Sequence, residues 1–98
     1  MDYYKWDNQK NEKLKAERGI SFERIVMHIE RGDVLDLVVH PNQKKYPGQQ
    51  IIVVEISEYI YLVPFVESPD GKFLKTIIPS RKAARNYLGG NREQDKIG

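Results

Sequence analysis

The chain contains no cysteine. That absence excludes disulfides, thiolate nucleophiles and zinc–thiolate centres together. Histidine is nearly as scarce, and His28 and His40 lie too far apart for a chelating spacing, so neither a metal nor any other cofactor is expected. No apolar run is long enough to cross a bilayer, and the opening MDYYKWDNQK lacks the hydrophobic stretch of a secretory signal. The expectation is a cytoplasmic chain with no membrane contact. Also missing are a P-loop, a GxSxG elbow, an HExxH helix and a carboxylate pair of glycosidase character, so most enzyme classes have no support. Internal repeats and low-complexity tracts are absent too.

What remains is a 98-residue chain, enough for one small domain. The expected division is a single domain over residues 1–88 and a flexible tail over 89–98. Apolar residues make up 40%, which supports one modest core, and the 31% charged fraction argues against a membrane protein. The net charge of +2 is unevenly spread. Residues 72–92 carry six basic side chains (Lys72, Lys75, Arg81, Lys82, Arg85, Arg92) and no acid, whereas residues 1–71 carry nine basic and twelve acidic ones. A basic segment set against a mildly acidic body suggests a local anion site.

The pattern of elements predicts an α+β fold: two N-terminal helices packed on a small antiparallel sheet that ends in a meander, then a short C-terminal helix. YYKW reads as a first edge strand. Asp7 caps a polar helix that Gly19 closes; with few apolar residues it should pack weakly. Ser21 caps the second helix, Ile20 can staple onto Ile25, and Phe22, Ile25, Val26 and Ile29 form its core stripe before Gly32 ends it. His28 lies off that stripe and reads as a surface residue. VLDLVVH, QIIVVEIS and YIYLVPFVE follow as strands, the last two joined by a tight turn near Ser57–Glu58. ESPDGK supplies a type I turn with a left-handed glycine, leading into a strand over FLKTIIP.

The stretch PSRKAARNYLG holds the most informative conflict. Ser80 is a good N-cap and Gly89 a good stop, which predicts a helix over 81–88. Yet Arg81 and Lys82 sit in its first turn, where the helix dipole makes a cation cost about 0.3–1 kcal/mol. Arg81 and Arg85, four apart, share a face, and Lys82 lies about 100° round from Arg81. These cations are either a solvated face or a phosphate receptor built from guanidinium forks and helix amides. His40, at a strand end beside Pro41, is either a loop residue or a general base. Tyr87 either anchors the short helix by packing or places a hydroxyl at the same site. Tyr59, Tyr61 and Phe65 alternate along one strand face, as core or as a stacking platform for bases.

Several stretches resemble one family. The aromatic-Trp-Asp opening followed by NQKNEKL, the RGISFERI leading into the second helix, and the closing KTIIPSRKAARNYL are similar to segments of BrnT-family toxins. There the corresponding stretches read like HGVSFEEA and IISARKATKKE. The likeness spans about residues 3–88, specific at its two ends and not in its middle.

What the resemblance implies is the toxin of a bacterial type II toxin–antitoxin pair with a RelE/ParE-like fold. It further implies metal-independent cleavage of RNA, neutralisation by a ribbon-helix-helix antitoxin, and operator DNA bound through the toxin–antitoxin complex. Carried over by position, Arg81 and Lys82 match the family's Arg-Lys pair and Arg85 a downstream basic position. The expected catalytic set is then Arg81, Arg85, His40 and Tyr87, with Glu55 as another candidate acid or base, and Lys75 and Lys82 binding RNA. One departure stands out: where the family commonly has a charged EERF-like cluster, this chain has YPGQQI, with Gln49 and Gln50. Alternatives in other classes are a non-enzymatic, ParE-like inhibitor of a protein target and a nucleic-acid-binding regulatory module. The two-sided apolar strands and the Tyr59–Tyr61–Phe65 row suggest open apolar surface that an antitoxin segment would cover.

Overall fold

The computed structural model describes residues 3–89; of the expected tail, residues 90–98 lie outside that range. The fold is α+β, as the periodicities predict. In chain order the elements are β1 (Tyr4–Lys5), α1 (Asn8–Arg18), α2 (Phe22–Arg31), β2 (Val34–Val39), β3 (Gln50–Ile56), β4 (Tyr59–Ser68), β5 (Gly71–Leu74), β6 (Ile78–Pro79) and α3 (Arg81–Ala84). A π-helical turn over Arg85–Gly89 continues α3. None of these helices is long and apolar enough to cross a membrane. The sheet runs β1-β5-β4-β3-β2, with β6 beside β4. Every strand pair is antiparallel except β1 with β5.

The helix boundaries follow the capping residues. Asp7 accepts from the Gln9 amide and Ser21 from the Arg24 amide, while Gly19 and Gly32 close the two helices in left-handed conformations. The α2 stripe reaches the core, with Phe22 and Ile25 fully buried and Val26 and Ile29 packed against it. The α1 helix is better anchored than its polar sequence suggests. Asn11 is only 1% exposed; its Oδ1 accepts from the Phe22 amide at 2.8 Å, and its Nδ2 donates to Glu23 at 2.8 Å. One polar side chain thus satisfies an amide in the first turn of α2 and ties the two helices together.

His28 corrects the surface expectation. It is 8% exposed, and its Nδ1 lies 2.8 Å from Asp33 just beyond the helix end. An ionisable partner behind the glycine cap draws the imidazole inward, which the apolar stripe alone cannot reveal.

The β3–β4 hairpin turns through Ser57 and Glu58, both with positive φ, the pattern of a type I′ turn made without glycine. Gly71 has φ of +133°, outside the left-handed helical region expected for it, and a Cβ there would run into the Tyr3 carbonyl. The strand expected over FLKTIIP is broken into β5 and β6. On β4, two residues separate Phe65 from Leu62; opposite them, three separate Leu74 from Ile78. The extra residue falls beside Pro64, whose carbonyl accepts from the Lys75 amide at 2.8 Å but which has no N–H to return.

Two cores result. Beneath α1 and α2 lie Ile52, Val54, Ile56, Val63, Phe65, Leu74 and Ile77; on the opposite sheet face Val53 and Ile60 pack with Ala83. Phe65 is fully buried in the first core and Tyr61 packs against it, so the aromatic row is not an open platform.

Replacing Asn11 by Ala should destabilise the fold by about 1–3 kcal/mol, because the Phe22 amide loses its acceptor in a buried setting. Urea unfolding reads this directly, and a variant as stable as the parent would contradict the role given to Asn11.

Candidate nucleic-acid interface

The C-terminal helix is fastened to the sheet at both ends. At its start, the Ser80 amide donates to the Ile60 carbonyl of β4 at 3.0 Å, and Ser80 Oγ accepts from the Ala83 amide at 3.0 Å. Near its end, the Tyr87 hydroxyl donates to Asp36 Oδ2 of β2 at 2.8 Å. Between these points Ala83, Ala84, Tyr87 and Leu88 lie on Val53, Ile60 and Leu62. The two alanines allow close approach. From β4 across β3 to β2 is two strand spacings, about 10 Å, and seven helical residues rise about as far. The helix therefore crosses the strands rather than running along them. It does not stop at Leu88 with a left-handed glycine, because the π-helical turn carries it through Gly89.

With positions 83, 84, 87 and 88 turned to the sheet, Arg81, Lys82 and Arg85 are left exposed. None of the three joins an ion pair among the described residues. Their charge is thus unneutralised within this part of the molecule.

Asp36 is a site residue that the sequence reading missed. Its signal is a lone acid inside the apolar strand VLDLVV, at a register shift between Val34 and Asp36. Oδ1 accepts from the Leu37 amide at 2.8 Å, and Oδ2 takes the Tyr87 hydroxyl. The hydrogen bond to Asp36, with burial and the carboxylate charge adding, raises the Tyr87 pKa above the ordinary tyrosine value. The phenol therefore keeps its proton and acts as a donor.

The other expected residues are not all brought to this helix. Glu55 pairs in register with Ile60, sits half-buried on the helix-bearing face, and so flanks the helix start. His40 lies four residues along the chain from Asp36, about 13 Å in extended strand geometry. Its ring packs at a tilt on Tyr46, and its Nδ1 accepts from the Asn42 amide at 3.0 Å, so Nε2 carries the hydrogen of the neutral ring. Gln49 stands beside it, its carbonyl accepting from the His40 amide, and Gln50 begins β3. Lys75 is likewise toward that end of the sheet, with Nζ 5.4 Å from the Phe73 ring centroid. Arg81, Lys82, Arg85, Tyr87 and Glu55 thus belong to one region; His40, at the β2 edge, and Lys75, on the far side of β4, each lie apart from it and from one another.

A shallow depression lined by Tyr3 and Glu67–Lys72 lies at the β1 edge and includes none of the candidate residues. No group of three His, Asp or Glu side chains suited to a metal occurs among the described residues. Comparison of the chain with protein-family models, with curated proteins and with solved structures gives no match.

The raised Tyr87 pKa has a definite sign for stability. The proton held more tightly in the folded state stabilises the fold fully below the unfolded tyrosine pKa of about 10, and this contribution is lost as pH rises through the higher folded value. Ultraviolet titration of the phenols should show one late-ionising group that disappears in Tyr87→Phe and moves to lower pH in Asp36→Asn. A titration unchanged by both substitutions would refute the pairing.

Proposed function

We propose that this chain is a ribonuclease toxin of the BrnT type, the reading to which its sequence resemblance points. The observation that carries it is the three-cation cluster, exposed and unpaired among the described residues, on a helix pinned across the sheet. A surface of this kind suits a phosphodiester. Fork-shaped guanidiniums of Arg81 and Arg85 bind equatorial phosphate oxygens, and Lys82 adds a point charge.

In the proposed reaction the 2′-hydroxyl loses its proton to a base as its oxygen bonds to phosphorus. The bond from phosphorus to the 5′-oxygen then breaks, and that oxygen takes a proton. The arginines stabilise the negative charge that builds on the phosphoryl oxygens, and no metal is required. Glu55, on the helix-bearing face, suits the base role better than the distant His40. Tyr87, whose one hydroxyl proton is engaged by Asp36, positions the helix that carries the arginines, and the leaving oxygen takes its proton from water. A ribbon-helix-helix antitoxin would neutralise the chain by laying acidic side chains on the same cations, and the complex would contact operator DNA through the antitoxin. Such a toxin acts in the cytoplasm, where its RNA is.

A second reading, inhibition of a protein target without catalysis, draws on one observation. The start of β3 presents neutral Gln49 and Gln50, and the one histidine beside them is remote from the cations. Incubation of purified protein with RNA in EDTA separates the two readings. Cleavage is expected, and Arg81→Ala or Arg85→Ala should slow it by about 100-fold or more while leaving the fold intact. Arg81→Lys should also be impaired, since an ammonium keeps the charge without the fork. No cleavage by a protein that still arrests growth would favour the inhibitor. Alanine variants that cleave normally would remove the site.

A further inference from the structure

The described part of the molecule has one long sheet edge. β2 ends the strand order, and its outer side has no strand beside it. The opposite end is β1, only two residues long. Large apolar side chains are exposed along β2: Leu35 at 42%, Leu37 at 54% and Val39 at 65%, with Met27 of the neighbouring α2 at 47%. The strand contains no lysine, proline or glycine of the kind that usually blunts an edge. Its single charge, Asp36, is engaged by the Tyr87 hydroxyl instead of guarding the edge.

We propose that β2 pairs with β2 of a second copy of this chain, antiparallel about a two-fold axis at Val38. The backbone selects a strand as the occupant, and the side chains select this one. The His40 amide points inward to the Gln49 carbonyl, so the neighbouring Val39 amide and carbonyl point outward. Leu37 lies two residues away and points its carbonyl the same way. The Leu37 amide is held by Asp36 Oδ1 and stays out of the ladder. The ladder runs instead from each Val39 amide to the Leu37 carbonyl of the second copy, twice by symmetry.

In this register Val38 faces Val38 of the second copy, and Leu37 faces Val39 of the second copy on the face shared with α2. Two residues out from the axis, Asp36 stands opposite His40 of the second copy. The His40 Nδ1 is taken by the Asn42 amide, which leaves Nε2–H as the donor that can meet a carboxylate. The pairing thus places apolar against apolar at its centre and an acid against a nitrogen donor on both sides. Beyond them, the Lys44–Lys45 loop of one copy comes toward the Glu30–Asp33 end of the other, where Glu30, Arg31 and Asp33 sum to one net negative charge. Other registers lose this match: about Leu37, His40 of one copy would face Val34 of the other.

The natural absence of cysteine gives a clean test, because Val38→Cys introduces the one thiol in the chain. Val38 would occupy a non-hydrogen-bonded pair, the position whose close Cα separation admits a disulfide. Sedimentation of the parent chain at tens of micromolar should give twice the monomer mass of 11.5 kDa. Leu37→Lys, at an exposed position, should weaken the dimer at least tenfold with unchanged circular dichroism. Under mild oxidation Val38→Cys should cross-link much faster than Val34→Cys. A parent chain that is monomeric throughout this range overturns the proposal, as does a dimer indifferent to Leu37→Lys or equal cross-linking at the two positions.

Discussion

The C-terminal helix lies across the second face of the sheet because it is held at two points with small residues between them. The Ser80 amide on the Ile60 carbonyl sets where the helix begins, and Tyr87 on Asp36 sets where it points. Ala83 and Ala84 then let it settle on Val53 and Ile60. Without this docking the second sheet face would be bare, and the three cations would ride on a loose segment. Held this way, they stand on one short, rigid element above a β-sheet. Anchoring the backbone in this way lowers the ordering cost that binding an anion through these side chains would carry.

The dipole conflict at the helix start resolves on magnitudes. Cations in the first turn cost about 0.3–1 kcal/mol. A serine cap returns about 1 kcal/mol, and a net hydrogen bond such as that of Tyr87 about 0.5–1.5 kcal/mol. The helix can therefore carry Arg81 and Lys82 without any ligand to offset them. The charge placement is permitted by stability and is not explained by it. A solvated face satisfies it equally, and anion binding is the reason that the proposed function would supply.

Much of the fold is legible in the sequence because it is written in local signals. Asp7, Ser21 and Ser80 are caps whose geometry needs only nearby amides, and the strands from Val34 onward declare themselves by period. Long-range polar pairings are illegible by the same logic. Asn11 reads as one more polar residue of a polar helix, yet it joins α1 to α2. His28 looks peripheral until Asp33 comes round the glycine cap. Asp36 and Tyr87 are separated by most of the sheet in sequence and meet only when the helix crosses it. The break between β5 and β6 was in principle readable, since Pro64 removes a ladder donor, but only once the pairing partner of Pro64 is known. For the candidate site, the cations and Tyr87 share a helix because they are neighbours in sequence; His40 and Lys75 are candidates by residue type, and the strand register separates them from the helix.

Locating a bound RNA on the molecule tests the central claim most directly. Backbone amide shifts of the labelled protein, followed during titration with a short single-stranded RNA, report where contact occurs. The account predicts shifts concentrated on Ser80–Leu88 and on the Asp36 region of β2, weakening together as salt is raised. Shifts confined to the His40–Gln49 loop, or none at all, would contradict it.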